Sequence, residues 1–249
     1  MESNFFTASD GVKIHYLTEG ASGSWVVLQH GFTDSATRMW AQSGLIDALA
    51  TNHRVVAVDA RNHGKSDKPT PGGPGNPRDT LEVMAHLGIE RAHIHGYSMG
   101  GAFTRSQLSS RPELFITAGF HGSGITEQDP ELAAAAAKLD PKPPAPTPEQ
   151  AAALEARRAR RGDRAATTAP RTGRTPAPID LTKVKIPVLC IYGEFDRPYS
   201  KSQRMWRELD TFTNVVLAGR NHLNAIASGN FPPEYTRAFV GFVNAYDEV

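Results

Sequence analysis

A single cysteine, Cys190, is all the sequence holds, so no intrachain disulfide can form and nothing marks an oxidising compartment. Net charge is nearly absent as well: 27 Lys+Arg stand against 26 Asp+Glu. Without a global positive field, a nucleic-acid partner is not expected. No stretch approaches the roughly 18 apolar residues that cross a bilayer, so no membrane partner is expected either. The opening Met1-Glu2-Ser3-Asn4-Phe5-Phe6 lacks both the basic and the apolar region of a secretory signal, and a cytoplasmic location is the expectation. What is present is length: 249 residues suffice for one α/β domain whose core needs neither disulfide nor metal.

Short apolar, β-branched runs alternate with helix-like stretches, the sequence form of an α/β fold. Val12 to Leu17, after Phe5-Phe6-Thr7 and the Asp10-Gly11 turn, reads as an N-terminal hairpin. Runs at 25–28, 54–58, 93–95, 115–118, 188–192 and 214–217 are continuous, as parallel strands covered on both faces require. Helices are predicted over roughly 37–50, 78–87, 99–110, 200–209 and 233–246. Residues 122–184 break the rhythm. Nine of the 18 prolines fall between Pro130 and Pro178, beside alanine tracts at Ala133–Ala137 and Ala151–Ala153. The segment reads as a small lid of short helices, with too few large apolar residues for a core of its own. The predicted organisation is therefore one domain, with a core of residues 1–121 and 185–249 and a lid insertion at 122–184.

The strongest local signal is Gly96-Tyr97-Ser98-Met99-Gly100-Gly101, set between an apolar run and a helical one. So tight a strand-to-helix turn lifts its serine to the carboxyl edge of the sheet, where ligands bind in such folds. A serine hydroxyl needs a base to take its proton, and the base needs an orienting acid. Asp196, in Gly193-Glu194-Phe195-Asp196, and His222, in Arg220-Asn221-His222, each follow a predicted strand and so fall on loops at that same edge. Glu194 is the alternative acid, with Asp196 then capping the helix near Ser200. The oxyanion of a tetrahedral intermediate needs N–H donors. Met99 N–H, directly after the serine and at a helix start, is one candidate. Phe32 N–H, in Gln29-His30-Gly31-Phe32, is the other, because Gly31 lets that loop turn inward.

Five landmarks, His30-Gly31-Phe32, Asp59 to Ser66, Gly96 to Gly100, Gly193 to Asp196 and Asn221-His222, occur in the order of the α/β-hydrolase superfamily, which the chain resembles over essentially its whole length outside the lid. The resemblance implies an α/β-hydrolase fold: an eight-stranded, mostly parallel sheet flanked by helices, with the lid inserted after the sixth strand. It also implies a serine hydrolase with Ser98, Asp196 and His222 as triad. Two positions depart from the family: Asn62 stands where glycine is usual, and Asn221 replaces a common glycine or alanine before the histidine. Haloalkane dehalogenases and soluble epoxide hydrolases share the fold but carry aspartate on the elbow, and Ser98 argues against both.

The expected reaction is carboxylic ester hydrolysis through an acyl-enzyme, with a small-molecule ester or lactone as substrate and no metal or organic cofactor. The same triad serves lactones, carbon–carbon bond hydrolysis, amide cleavage and peracid formation, and the fold also serves ligand sensors. The basic run Arg157-Arg158-Ala159-Arg160-Arg161 reads as a solvated face, or as an attractor of anions. His93 and His95, spaced H-x-H on a buried strand, read as packed residues in preference to metal ligands. Cys190 reads as a small buried hydrophobe.

Overall fold

The computed structural model describes residues 1–149, 151–152, 179–224 and 231–247. Eight strands form one sheet: β1 Glu2–Thr7, β2 Lys13–Glu19, β3 Trp25–Gln29, β4 Arg54–Val58, β5 Ala92–Tyr97, β6 Phe115–His121, β7 Val188–Gly193 and β8 Phe212–Leu217. Their spatial order is β1-β2-β4-β3-β5-β6-β7-β8. β1 and β2 form the antiparallel hairpin the Asp10-Gly11 turn suggests, β2 pairs antiparallel with β4, and every other pairing is parallel.

The apolar runs of β3 to β7 are continuous because these strands are buried on both faces. Val27, Val56, Ile94 and Cys190 join one cluster, with Val83, Met84, Leu108 and Met205. Val26, Leu28, Val55 and Ile191 join the other, with Leu45, Leu49, Tyr235 and Phe239. Helices α2 Pro77–His86, α3 Met99–Ser110 and α5 Pro198–Glu208 cover the first face; α1 Leu45–Ala50 and α6 Pro233–Ala245 cover the second. Each fully buried aliphatic or aromatic side chain contributes about 1.5–3 kcal/mol, which fixes strand register wherever faces alternate.

The helix predicted over 37–50 is a correction. The structure has a short π-helical turn, Thr37–Ala41, and then α1, separated by Gly44 at φ 74°. Apolar residues on both sides kept the helical period, but a left-handed residue ends one helix before the next begins. Of the insertion, α4 Pro130–Leu139 is described. Its ends reach inward: Ile125, Ile179, Leu181 and Val184 are buried in the first core cluster. The basic run from Arg157 to Arg161 lies outside the described residues. Among the described residues no helix is long and apolar enough to cross a membrane.

Parallel register aligns the strand ends. Gln29 lies opposite Gly96, Tyr97 opposite His121, His121 opposite Ile191, and Gly193 opposite Leu217. The residues that follow, His30 to Phe32, Ser98, Glu194 to Asp196 and Arg220 to His222, therefore leave the sheet along one edge.

Candidate active site

Ser98 joins β5 directly to α3 with φ 52° and ψ −103°, a conformation that L-residues rarely adopt. The neighbouring glycines are required by space. A Cβ on Gly96 would lie 2.1 Å from the Gly100 carbonyl carbon, and one on Gly100 would lie 2.1 Å from Gln29 O. Behind this turn Gln29 is locked by a buried network. Its amide donates to Thr104 Oγ1 at 3.1 Å and Gln107 Oε1 at 3.0 Å, and its carbonyl accepts from Thr80 Oγ1 at 3.0 Å. The strand end and α3 thus hold each other in place, and the strained serine is over-determined by its surroundings.

Two loops bring the other side chains to it, and they are stitched together by backbone. Glu194 N–H donates to Leu217 O at 3.0 Å and Phe195 N–H to Arg220 O at 2.8 Å. His222 Nδ1 lies 2.8 Å from Asp196 Oδ2, and His222 Nε2 lies 3.0 Å from Ser98 Oγ. Asp196 is buried, whereas the His222 side chain is 38% exposed. The imidazole stacks on Tyr97 with ring centroids 5.4 Å apart, and Tyr97 donates its hydroxyl proton to His222 O at 2.5 Å. Asn221, the departure before the histidine, accepts from Leu223 and Asn224 N–H at 2.9 and 3.1 Å, and its own N–H donates to Asn224 Oδ1 at 2.6 Å. The asparagine folds the turn that presents His222, as such side chains do in Asx turns.

The two acidic side chains weighed from sequence make different contacts. Glu194 accepts the Gly219 N–H at 2.8 Å and so braces the loop after β8. The N-terminus of α5 is capped by Asp140, at the end of α4, which accepts from Tyr199 N–H at 2.8 Å, from Ser200 N–H at 3.2 Å and from the Ser200 hydroxyl.

Sequence reasoning missed Lys201. Its ammonium donates to Asp196 Oδ1 at 2.5 Å and to Gly122 O at 3.1 Å. Burial lowers its pKa, and Asp196 pulls the other way. Asp196 therefore answers to two partners, a cation on one oxygen and the imidazole on the other.

The loop carrying Phe32 passes beside the elbow: a Cβ on Gly31 would lie 3.7 Å from Tyr97 O. Neither Phe32 N–H nor Met99 N–H has an acceptor among the described residues. Asp59, at the end of β4, anchors this loop. Its Oδ1 accepts Ala36 N–H at 2.6 Å, its Oδ2 accepts Lys65 N–H at 2.8 Å, and His15 Nδ1 lies 2.8 Å from the same Oδ2. Burial alone would raise its pKa, but the bonds from His15, Lys65 and Ala36 bring it below the ordinary value. Gly64 is required here, since its Cβ would lie 2.1 Å from Asp59 Oδ2. Asn62 has φ 71°, the left-handed conformation the family's usual glycine would take, and its side chain binds Thr70 N–H and Pro74 O at 2.9 and 2.8 Å. That asparagine thereby pins the glycine-rich stretch Gly72-Gly73-Pro74-Gly75 that follows it.

A cavity of about 490 Å³ opens on the site, lined by Ser98, Ser123, Thr126, Ser200, Lys201 and His222 among others. Four of its lining residues bear hydroxyls, and Asp196, Arg197 and Lys201 bring charged groups to it.

Comparison with known proteins agrees with this fold. The model of the Alpha/beta hydrolase family matches residues 26–234. Curated relatives include a 2-hydroxy-6-oxononadienedioate/2-hydroxy-6-oxononatrienedioate hydrolase of Paraburkholderia phymatum, 36% identical over 115 residues, which are 44% of this chain and 40% of that protein. A soluble epoxide hydrolase of Corynebacterium is 35% identical over 96 residues, 37% of this chain and 32% of its own. The chain thus spans well under half the length of these relatives. Among solved structures, an N-acyl homoserine lactone degrading enzyme superposes with TM-score 0.67 and 25% identity, covering 95% of this chain and 99% of that one. A meta-cleavage product hydrolase of Pseudomonas fluorescens superposes with TM-score 0.67 at 22% identity, covering 97% of both chains, a likeness of fold alone. With the match running from the second residue of β3 into the first turn of α6, this chain belongs to the alpha/beta hydrolase family.

Proposed function

We propose that the protein is a serine hydrolase that cleaves carboxylic esters through an acyl-enzyme, with Ser98 as nucleophile, His222 as base and Asp196 as orienting acid. The observation that carries this reading is the unbroken hydrogen-bond line from Ser98 Oγ through His222 to Asp196, at 3.0 and 2.8 Å. Ser98 Oγ attacks the ester carbonyl while its proton passes to His222 Nε2. Asp196 holds the proton on Nδ1, fixes the ring orientation and stabilises the imidazolium. The Phe32 and Met99 N–H groups receive the oxyanion, and the start of α3 adds its dipole. His222 then returns the proton to the leaving alcohol, and a water activated by the same ring attacks the acyl carbonyl and frees the acid.

A hydroxyl on the elbow, in place of the aspartate of the dehalogenases and epoxide hydrolases, favours acyl transfer over carbon–halogen or epoxide opening. Lactone hydrolysis is the second reading, supported by the likeness to the N-acyl homoserine lactone degrading enzyme. A lactone is an ester whose alcohol stays attached, so the same steps apply. In this reading residues 122–184 act as a lid over the pocket.

A panel of nitrophenyl esters of graded acyl length, with lactones beside it, tests the proposal. Turnover that falls on the order of 10⁴-fold in Ser98→Ala is expected. Ester and lactone turnover retained in that variant would remove Ser98 from the role of nucleophile. Stoichiometric labelling by an organophosphonate without multiple turnover would favour a ligand sensor.

A further inference from the structure

A second polar cluster is buried at the opposite, amino edge of the parallel strands. His53 immediately precedes β4, His93 is the second residue of β5, and Asp247 follows α6. One nitrogen or oxygen of each lies within 4.8 Å of the others. Both histidines are almost fully buried, at 1% and 0% exposure. Ser24 sits between them, its hydroxyl oxygen 3.1 Å from His53 Nδ1 and 3.0 Å from His93 Nε2.

The far nitrogen of each ring is already held. His53 Nε2 lies 2.7 Å from Asn244 Oδ1, so it carries the ring proton and leaves the Nδ1 lone pair facing Ser24. His93 Nδ1 lies 2.8 Å from Thr117 Oγ1.

The hydrogens reach every member of the cluster but one. Thr117 donates to His93 Nδ1, His93 Nε2–H to Ser24 Oγ, and the Ser24 hydroxyl to His53 Nδ1. Asp247 Oδ1, 3.9 Å from His53 Nδ1, is buried with no hydrogen-bond partner among the described residues. A buried carboxylate oxygen without a partner is costly.

We propose that His53, His93 and Asp247 form a binding site for a divalent transition-metal ion of the zinc class, with Ser24 or a water in the fourth position. Two imidazoles and a carboxylate are a zinc-type ligand set, and Asn244 and Thr117 supply the outer hydrogen bonds that orient ligating histidines. Tetrahedral bonds of about 2.0–2.1 Å put ligand atoms roughly 3.4 Å apart, so the cluster must tighten by up to about 1.5 Å. Asp247, on the tail beyond α6, is the ligand placed to move. When His93 Nε2 turns its lone pair to the ion, the ring proton resides on Nδ1 and is donated to Thr117 Oγ1. The sheet separates this site from Ser98, so the ion clips the C-terminal tail to the amino edge of β4 and β5 and takes no part in the reaction.

The test uses the full, tag-free chain stripped with a chelator and dialysed. Zn²⁺ is titrated against a chromophoric competitor, Co²⁺ is followed by its visible spectrum, and unfolding temperature is measured with and without Zn²⁺. One equivalent, a tetrahedral Co²⁺ spectrum and a raised unfolding temperature are expected. Asp247→Asn, nearly isosteric and on the tail, and His53→Gln should each weaken binding at least about tenfold. His222→Ala should leave it unchanged, separating this site from the His222–Asp196 pair. Absence of stoichiometric binding in micromolar Zn²⁺, binding that survives both Asp247→Asn and His53→Gln, or binding lost in His222→Ala would overturn the proposal.

Discussion

Replacing Ser98 with glycine and, separately, with alanine isolates the strain at the elbow. Both substitutions remove Oγ and with it the contact to His222 Nε2, so that loss cancels between them. What differs is the backbone. At φ 52° and ψ −103° an L-residue is held where few L-residues reside, at a cost of about 1–3 kcal/mol, whereas glycine is at ease there. Glycine also gains freedom in the unfolded chain, worth about 0.4–1 kcal/mol against it. The balance makes Ser98→Gly more stable than Ser98→Ala by roughly 0.5–2 kcal/mol. For a chain of this size each kcal/mol moves the midpoint by about 2–4 °C. Denaturant titration and calorimetry of both variants, beside nitrophenyl ester assays, read both consequences: turnover should vanish equally while the two midpoints separate. An alanine variant as stable as the glycine variant, or more so, would refute the claim that strain is stored at this turn.

Three further outcomes rest on individual contacts. Lys201→Met removes the ammonium that fixes Asp196 Oδ1 and should lower ester kcat/KM by roughly tenfold or more, with Lys201→Arg restoring part of it. Unchanged turnover in the methionine variant would mean that Lys201 only fills space. Asp59→Asn turns an NH₂ group toward backbone donors now bound by the carboxylate and should cost about 2–3 kcal/mol in a urea titration, with a loss below about 0.5 kcal/mol counting against the anchoring role. Arg207 binds Glu127 at 2.6 Å and, as the main cause, brings its pKa down to about 2. A depressed carboxylate stabilises the fold above its unfolded pKa of about 4.3 and ceases to as pH falls toward 2, so the midpoint gap between the native chain and Glu127→Gln should close over that interval. A gap constant with pH would contradict the pairing.

Much of the fold was legible because its causes are local. β-branched runs buried on both faces, the glycines around Ser98 and the Asp10-Gly11 turn each act within a few residues. The candidate triad was legible for a topological reason: loops after parallel strands leave one edge, so three residues remote in sequence were expected to meet. Lys201 was not legible, because a lysine in the first turn of an amphipathic helix looks like any solvated one, and its partner lies across a turn. The division at Gly44 was hidden by apolar residues that keep helical spacing on either side. The role of Tyr97 in holding His222 depends on a loop folding back over 125 residues of chain, a contact that no local pattern encodes. His53, His93 and Asp247 were unreadable for the same reason, since only the H-x-H spacing showed and its second histidine points elsewhere, toward His121.

The capping of α5 by Asp140 makes the insertion structurally indispensable in a way that its composition conceals. Trimming the alanine-rich helix to widen access would strip the acceptors from Tyr199 and Ser200, one turn from the lysine that grips the acid. A deletion meant only to change which molecules arrive would therefore also loosen the machinery that receives them, and variants with altered selectivity should be sought on the pocket wall, leaving this joint intact.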